Sequence, residues 1–323
     1  MAEIFVVIEH RNGEFRDVSY EMLRKAHDLG QQDSHSLTAV LLKGSEALPL
    51  QEIVERADKV IQVEDDRLGA FDGELTKEIL ARLIEVERPI LTLVGHTAWG
   101  MDLAPALAVK VGSPIATDCV DIFIEGGEPK ALRQIYSGKI FSKVAFKKSE
   151  GYLVTMRPGS CPPERAGGHK AEVVTWEIPA EVPVGRKRFE AFEDAGAGEV
   201  DITQAELLVS CGRGIGEEEN LAEMKELAQL IGGVISCSRP VVDKNWLPKY
   251  HQVGTSGKSV KPKVYLAFGI SGAFQHVAGV SGAGTVIAIN KDKNAPIFRI
   301  ADYGVVDDLF KIVAALKEKL KSR

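Results

Sequence analysis

The run Val264-Tyr-Leu-Ala-Phe-Gly-Ile-Ser-Gly-Ala-Phe-Gln-His-Val-Ala-Gly-Val280 gathers the residue types of a ligand site into one short stretch. Val264 to Phe268 is apolar and β-branched or aromatic enough to predict a buried strand. Gly269, Ser271 and Gly272 interrupt it, and a helix is expected to begin at about Ala273. A strand that stops at small residues and restarts as a helix leaves backbone N–H groups pointing outward. With the helix dipole they make an anion site. Gln275 and His276 fall in the first turn, within reach of a ligand seated there. A phosphorylated, ring-bearing molecule would suit such a place.

Other clusters carry weaker signals. Cys211-Gly-Arg-Gly-Ile-Gly216 sits between a strand and a helix. Its glycines would let backbone approach a pyrophosphate, and Arg213 could add a charge-assisted bond. It is not a full G-x-G-x-x-G, so an ordinary glycine-rich turn fits equally well. Ser238-Arg239-Pro240 puts a cation just past a strand, either over a flat electron-accepting ring or in a surface ion pair. Gln252-Val-Gly-Thr-Ser-Gly-Lys258 packs hydroxyls, N–H groups and a lysine into one loop. That density suits a polar ring edge or a phosphate, and equally a loop tip. Asn290, Asp302 and Asp308 stand at later strand ends, where carboxylates bind ribose hydroxyls or cap helices. His96, Asp102, Asp118 and Cys119 contain the residue types of a nucleophilic set, but nothing in the sequence brings them together.

These residues need elements to position them. Strands are expected at Ile4–Ile8, Leu37–Leu42, Lys59–Val63 and Ile90–Val94, with helices at Glu21–Leu29 and Glu74–Glu85. The alternation predicts parallel βαβ units. Shorter strand-like segments follow at 143–146, 151–156 and 172–177. Residues 177–200 mix Pro, Gly and charge without periodicity, which places a domain boundary near 190. The domains are then 1–190 and 191–323. The second repeats the alternation, with strands at 205–211, 233–237, 264–268, 285–289 and 297–300. Helices are expected at Asn220–Ile231 and at a closing segment that carries Leu309, Ile312, Val313, Leu316 and Leu320 on one face. Two doubly wound α/β domains, the second Rossmann-like, are therefore expected. Ligands bind such sheets beyond the carboxyl ends of the strands.

Bulk properties exclude several classes. The 323 residues exceed one ordinary core. The net charge of −6, from 40 basic and 46 acidic residues, argues against a nucleic-acid binder. Four scattered cysteines form no C-x-x-C pair, which suggests reduced thiols rather than a zinc site or disulfide frame. The start lacks a basic n-region, and no apolar run approaches the ~20 residues of a membrane span. A cytoplasmic location is expected, with no metal ligands and no transmembrane segment.

Taken in order, Gly212-Arg-Gly, Ser238-Arg239, Gln252-Val-Gly-Thr-Ser-Gly-Lys, Gly269-Ile-Ser-Gly-Ala-Phe-Gln-His, Ile287-Ala-Ile-Asn-Lys-Asp, Ala295-Pro-Ile-Phe and Ala301-Asp-Tyr-Gly resemble the electron-transfer flavoprotein alpha subunit over essentially all of 200–320. In the first domain the likeness is looser, resting on Gly95-His-Thr with Asp102-Leu-Ala-Pro and on Arg157-Pro-Gly. Met101 stands where the family usually has Arg.

The resemblance implies one FAD held by the second domain, and a beta subunit that completes a heterodimer and carries a second FAD or AMP. Arg239 would lie against the isoalloxazine, with the Ser256 hydroxyl near N5; the family usually has Thr there. His276 would face the C2 carbonyl as a donor or cation, beside Gln275. Arg213, Asn290 and Asp308 would hold the ribityl, phosphate and adenosine parts. Ser238, Gln252, Val253, Gly254, Thr255, Ser271, Gly272, Ala273, Phe274 and Leu309 complete the implied contact set. Positive charge near N1 and the C2 carbonyl would stabilise an added electron and raise the potential. No catalytic acid, base or nucleophile is implied, because the protein moves electrons from a donor to an acyl-CoA dehydrogenase or a quinone oxidoreductase. The Pro after Arg239, Trp246-Leu-Pro and Val260-Lys-Pro-Lys resemble the branch with flavin-bifurcating and nitrogen-fixation-linked members, in which NADH also reduces ferredoxin or flavodoxin. A simple shuttle and a bifurcating carrier both stay open, as does a non-redox adenine-nucleotide-binding regulatory subunit.

Overall fold

The computed structural model describes residues 2–136, 140–163, 170–179, 182, 201–280 and 282–321, without the Asp33 side chain. The chain divides into two compact units, Met1–Ala191 and Phe192–Arg323. The boundary expected near 190 lies outside the described residues.

In the first unit, strand residues alternate between two apolar cores. Ile4 and Val6 of β1 (Glu3–Val7) join one, while Phe5 and Val7 join the other. Burial on both faces is what a parallel sheet between helix layers requires. Helices α1 (Asp17–Asp33) and α2 (Gln51–Val54) cover the first face. Helices α3 (Gly73–Glu87) and α4 (Ala98–Val111) cover the second. A small hairpin of β2 (His10–Arg11) and β3 (Glu14–Phe15) precedes α1. The parallel strands are completed by β4 (Ser36–Lys43), β5 (Lys59–Glu64), β6 (Leu91–Gly95), β10 (Tyr152–Met156) and β11 (Glu172–Thr175).

Two features of this unit differ from the sequence reading. Residues 98–111, for which the sequence pattern names no element, form α4, started by a Thr97 hydroxyl that accepts the Gly100 N–H at 3.3 Å. Gly100 and Pro105 mask its helical pattern. The segment after 115 is a long antiparallel meander of β7 (Ile115–Glu125), β8 (Glu128–Ile135) and β9 (Ile140–Ala145). It extends the parallel sheet to the order β11-β5-β4-β1-β6-β10-β7-β8-β9.

The second unit holds an all-parallel sheet of β12 (Leu207–Cys211), β13 (Val234–Cys237), β14 (Val264–Phe268), β15 (Thr285–Ile289) and β16 (Tyr303–Val305), in the order β13-β12-β14-β15-β16. Helices α5 (Leu221–Leu230) and α8 (Leu309–Lys321) pack on one face. On the other face lie Val253, Val260, Ile270 and Ile297. Short helices α6 (Arg239–Asp243) and α7 (Phe274–Ala278) follow β13 and β14.

The strand expected at 297–300 is instead a single 3₁₀ turn, Pro296–Arg299. Pro296 removes one ladder donor, and the Ile297 N–H bonds the Ser271 carbonyl at 3.1 Å. Ile297 is apolar because it fills the core. The edge strand is β16, whose Tyr303 and Gly304 are exposed and so carry no apolar signal. Among the described residues no helix is long and apolar enough to cross a membrane.

Candidate functional site

The carboxyl edge of the second sheet is set by register. Cys211 pairs with Cys237 and with Phe268; Phe268 pairs with Ile289, and Ile289 with Val305. Five strands thus end on one line, and Gly212, Ser238, Gly269, Asn290 and Val306 leave the sheet side by side. The strand order reverses between β12 and β14, which is the switch point where α/β sheets bind ligands. The 252–258 loop joins the same edge, because the Val253 N–H bonds the Cys237 carbonyl at 2.9 Å.

Glycines allow these loops to cross. A Cβ on Gly212 would lie 2.3 Å from the Gly269 carbonyl oxygen, and one on Gly214 would lie 2.7 Å from the Gly269 Cα. The missing Cβ atoms of Gly212 and Gly214 make room for the neighbouring loop, which is a packing use of the 212–216 glycines. Gly254, at φ 137°, would place a Cβ 2.7 Å from the Gln275 carbonyl. The Thr255 N–H donates to that carbonyl at 2.8 Å, and the Val260 N–H donates to Gly279 at 2.8 Å. The 252–258 loop is therefore fixed directly onto α7.

The candidate residues then sort by exposure. Thr255, Ser256, Ser271, Ala273, Gln275, Arg213 and Arg239 are exposed on the loops of this edge. Ser238 is buried as the residue before α6, and Arg239 follows it, its side chain 67% exposed and 3.5 Å from Asp243. Gln252 is buried and donates its side-chain amide to Ser256 Oγ at 2.8 Å. Gly272 is buried against Ile297, while Phe274 is half-buried. Asn290 donates Nδ2 to the Ile270 carbonyl at 2.9 Å, which ties β15's end to the β14 loop. Asp308 accepts the Phe310 N–H at 2.8 Å and pairs with Lys291 at 2.8 Å. Lys291 and that N–H hold its carboxyl below the usual range. Lys291 is a cation of this edge that the sequence reading passed over; its place after Asn290 was the available signal. Leu309 turns its side chain into the core near Gly269 and offers this edge only backbone.

Two expectations change. Helix α7 has five residues, too few aligned peptides for a substantial dipole, so the α7 entrance acts through individual N–H groups. His276 is 6% exposed, with Nδ1 3.1 Å from the Val253 carbonyl and Nε2 2.8 Å from the Tyr265 hydroxyl. Burial drives its pKa down to about 4, so of the donor or cation expected here the cation is excluded, and the ring is a neutral part of the domain interior.

At the carboxyl edge of the first sheet, the structure brings His96 and Asp118 together, which the sequence did not suggest. His96 Nδ1 lies 2.9 Å from Thr155 Oγ1, and Nε2 lies 3.9 Å from Asp118. Arg157 grips Asp118 with two bonds of 2.7 Å. Cys119 follows in sequence but is fully buried, and burial pushes its thiol up to about 12, which removes it as a nucleophile. Asp102 lies elsewhere, against Gly73.

A parallel α/β unit with glycine-packed loops, hydroxyls and arginines along one carboxyl edge defines a cofactor-binding domain of the nucleotide class. Residues 4–181 match the electron transfer flavoprotein domain, and residues 201–281 match the electron transfer flavoprotein FAD-binding domain. The chain is 33% identical to protein FixB of Clostridium saccharobutylicum, covering 98% of this chain and 96% of that protein. It is 36% identical to the electron transfer flavoprotein subunit alpha of Syntrophomonas wolfei (99% and 100% covered) and 37% identical to that of Mycobacterium tuberculosis (100% and 99% covered). The chain belongs to the electron transfer flavoprotein family, as an alpha subunit.

Proposed function

We propose that the carboxyl edge of the second sheet holds one FAD and that the chain carries electrons as half of a heterodimer with a beta subunit. The observation that carries this reading is the in-register ending of the five strands, which sets Arg213, Ser238-Arg239, the 252–258 loop, Ser271–Gln275 and Asn290 along one line. The donor set fits the group. Hydroxyls at Thr255, Ser256 and Ser271 and the Gln275 amide can bond a polar ring edge. Arg213 and Lys291 suit a diphosphate. The glycine crossings at 212, 214, 254 and 272 draw the loops together while leaving these groups facing outward.

When bound, FAD supplies the one-electron chemistry. This chain's residues orient the ring and set its potential. Arg239, exposed and 3.5 Å from Asp243, stabilises added negative charge. Gln252 holds the Ser256 hydroxyl in place. No side chain here needs to donate or accept a proton at a reacting bond.

In its fuller form the reading includes a second FAD in the beta subunit, oxidation of NADH, and division of electrons between ferredoxin or flavodoxin and a dehydrogenase or quinone-reducing acceptor. Production with the beta subunit, followed by flavin and nucleotide counting, tests both forms. Two flavins per heterodimer and NADH-dependent bleaching support bifurcation. One flavin with one AMP restricts the chain to a single-electron shuttle. A colourless heterodimer that binds adenine nucleotides sinks the redox reading and favours a regulatory subunit.

A further inference from the structure

Tyr265 is the largest fully buried side chain among the described residues, yet it carries a hydroxyl into the core. It sits in the middle of the site's own strand, β14, and its hydroxyl lies 2.8 Å from His276 Nε2 and 2.7 Å from Ser210 Oγ. A buried phenol must find partners or pay desolvation, and these two satisfy it. His276 in turn reaches the Val253 carbonyl with Nδ1 at 3.1 Å. A chain of polar groups therefore runs from Ser210 on β12, through Tyr265 on β14 and His276 on α7, to the backbone of the 252–258 loop.

The proton positions follow from chemistry. A carbonyl only accepts, so Nδ1 must carry a proton. A neutral imidazole has no second N–H, so Nε2 is an acceptor and takes the single phenol proton. Ser210 then turns its own proton toward the phenol oxygen. Each donor in the chain has one acceptor, and reversing any member leaves two lone pairs or two protons face to face.

We infer that Tyr265 is a positioning residue of the proposed flavin site: its hydroxyl locks His276 as the neutral Nδ1–H tautomer and so fixes the 252–258 loop against α7. This rests on the flavin reading above. The loop carries Thr255 and Ser256, and α7 begins beside Ser271–Ala273, so a register error between them would separate the polar groups meant for one ring.

The test uses the full chain produced with its beta subunit and labelled with ¹⁵N-histidine, with His276 assigned by its loss in His276→Gln. At pH 7 wild type should show one protonated and one bare ring nitrogen for His276, with Nδ1 the protonated one. Tyr265→Phe, which keeps the ring volume, should shift Nε2 and weaken FAD retention about tenfold, the worth of one buried hydrogen bond. Ser210→Ala should leave the His276 tautomer in place, because the phenol keeps its proton. A doubly protonated or Nε2–H His276 in wild type overturns the inference. So does a Tyr265→Phe protein that holds FAD as tightly as wild type, whether or not its shifts move. A wild-type complex without flavin overturns the flavin reading. The tautomer, read on the flavin-free protein, then separates the two failures.

Discussion

Gly214 and Gly269 meet backbone to backbone where the β12 and β14 loops cross. Gly269 holds φ 62°, and a Cβ added to it would lie 2.8 Å from the Gly214 Cα. Both the dihedral and the space exclude a side chain. Gly269→Ala should therefore cost about 2–4 kcal/mol, since left-handed strain and a backbone clash add. Gly232→Ala is the control. Gly232 has a similar φ of 66° but no atom within 4 Å of a Cβ, so about 1 kcal/mol is expected. Urea unfolding of the two variants reads the difference. Equal losses would show that the crossing is looser than its geometry implies.

Arg239 tests electrostatics without confounding the fold. Its side chain is 67% exposed and its contact with Asp243 is 3.5 Å, so Arg239→Ala should change stability by less than about 0.5 kcal/mol. If the cation faces the flavin, the first potential should fall by roughly 50–100 mV, the equivalent of about 1–2 kcal/mol for one electron at an intermediate dielectric. A spectroelectrochemical titration gives the answer. An unchanged potential removes Arg239 from the site.

The sign of the pH dependence follows from His276. Its ring faces Tyr265 and the Val253 carbonyl, and burial holds its pKa at about 4, against 6.5 for the exposed group. Between those values the unfolded chain binds a proton that the folded chain refuses. Stability is therefore full above about pH 6.5 and falls as the pH drops toward 4, by up to roughly 3 kcal/mol. His276→Gln should be less stable at pH 7 and show a flatter slope across that window. A slope equal to wild type would mean that the ring ionises in the folded protein.

In the first unit, Asp118 combines φ 56° with two hydrogen bonds accepted from Arg157. Asp118→Gly removes the carboxylate but relaxes the backbone. Asp118→Ala removes the carboxylate and keeps the strain. Both should destabilise, and Ala by about 1 kcal/mol more than Gly. The order of the two thermal midpoints checks this; equal midpoints would place the whole effect in the lost ion pair.

Thiol chemistry checks the packing of both cores. Cys119, Cys211 and Cys237 are buried and Cys161 is half-exposed, with burial raising each thiol. A thiol reagent should label one cysteine per native chain, slowly, and four after unfolding. Fast labelling of two or more native thiols would contradict the packing at Cys211 and Cys237.

Local chemistry decided much of this protein. Alternating apolar runs determined the parallel sheets, because a strand buried on both faces must be apolar along its whole length. The segments Ser238-Arg239, 252–258 and 271–276 stood out because Gly, Ser, Arg and His at strand ends have few structural uses. Contact order hid the rest. That Gly214 yields to Gly269, that Ile297 bonds Ser271 and not a strand, and that Asp118 meets His96 and Arg157 all depend on which strands become neighbours. His276 shows the division most sharply. Its residue type promised a titrating group, yet its charge was settled by burial in the domain interior. Desolvation is a property of the surrounding fold, and no run of neighbouring residues encodes it.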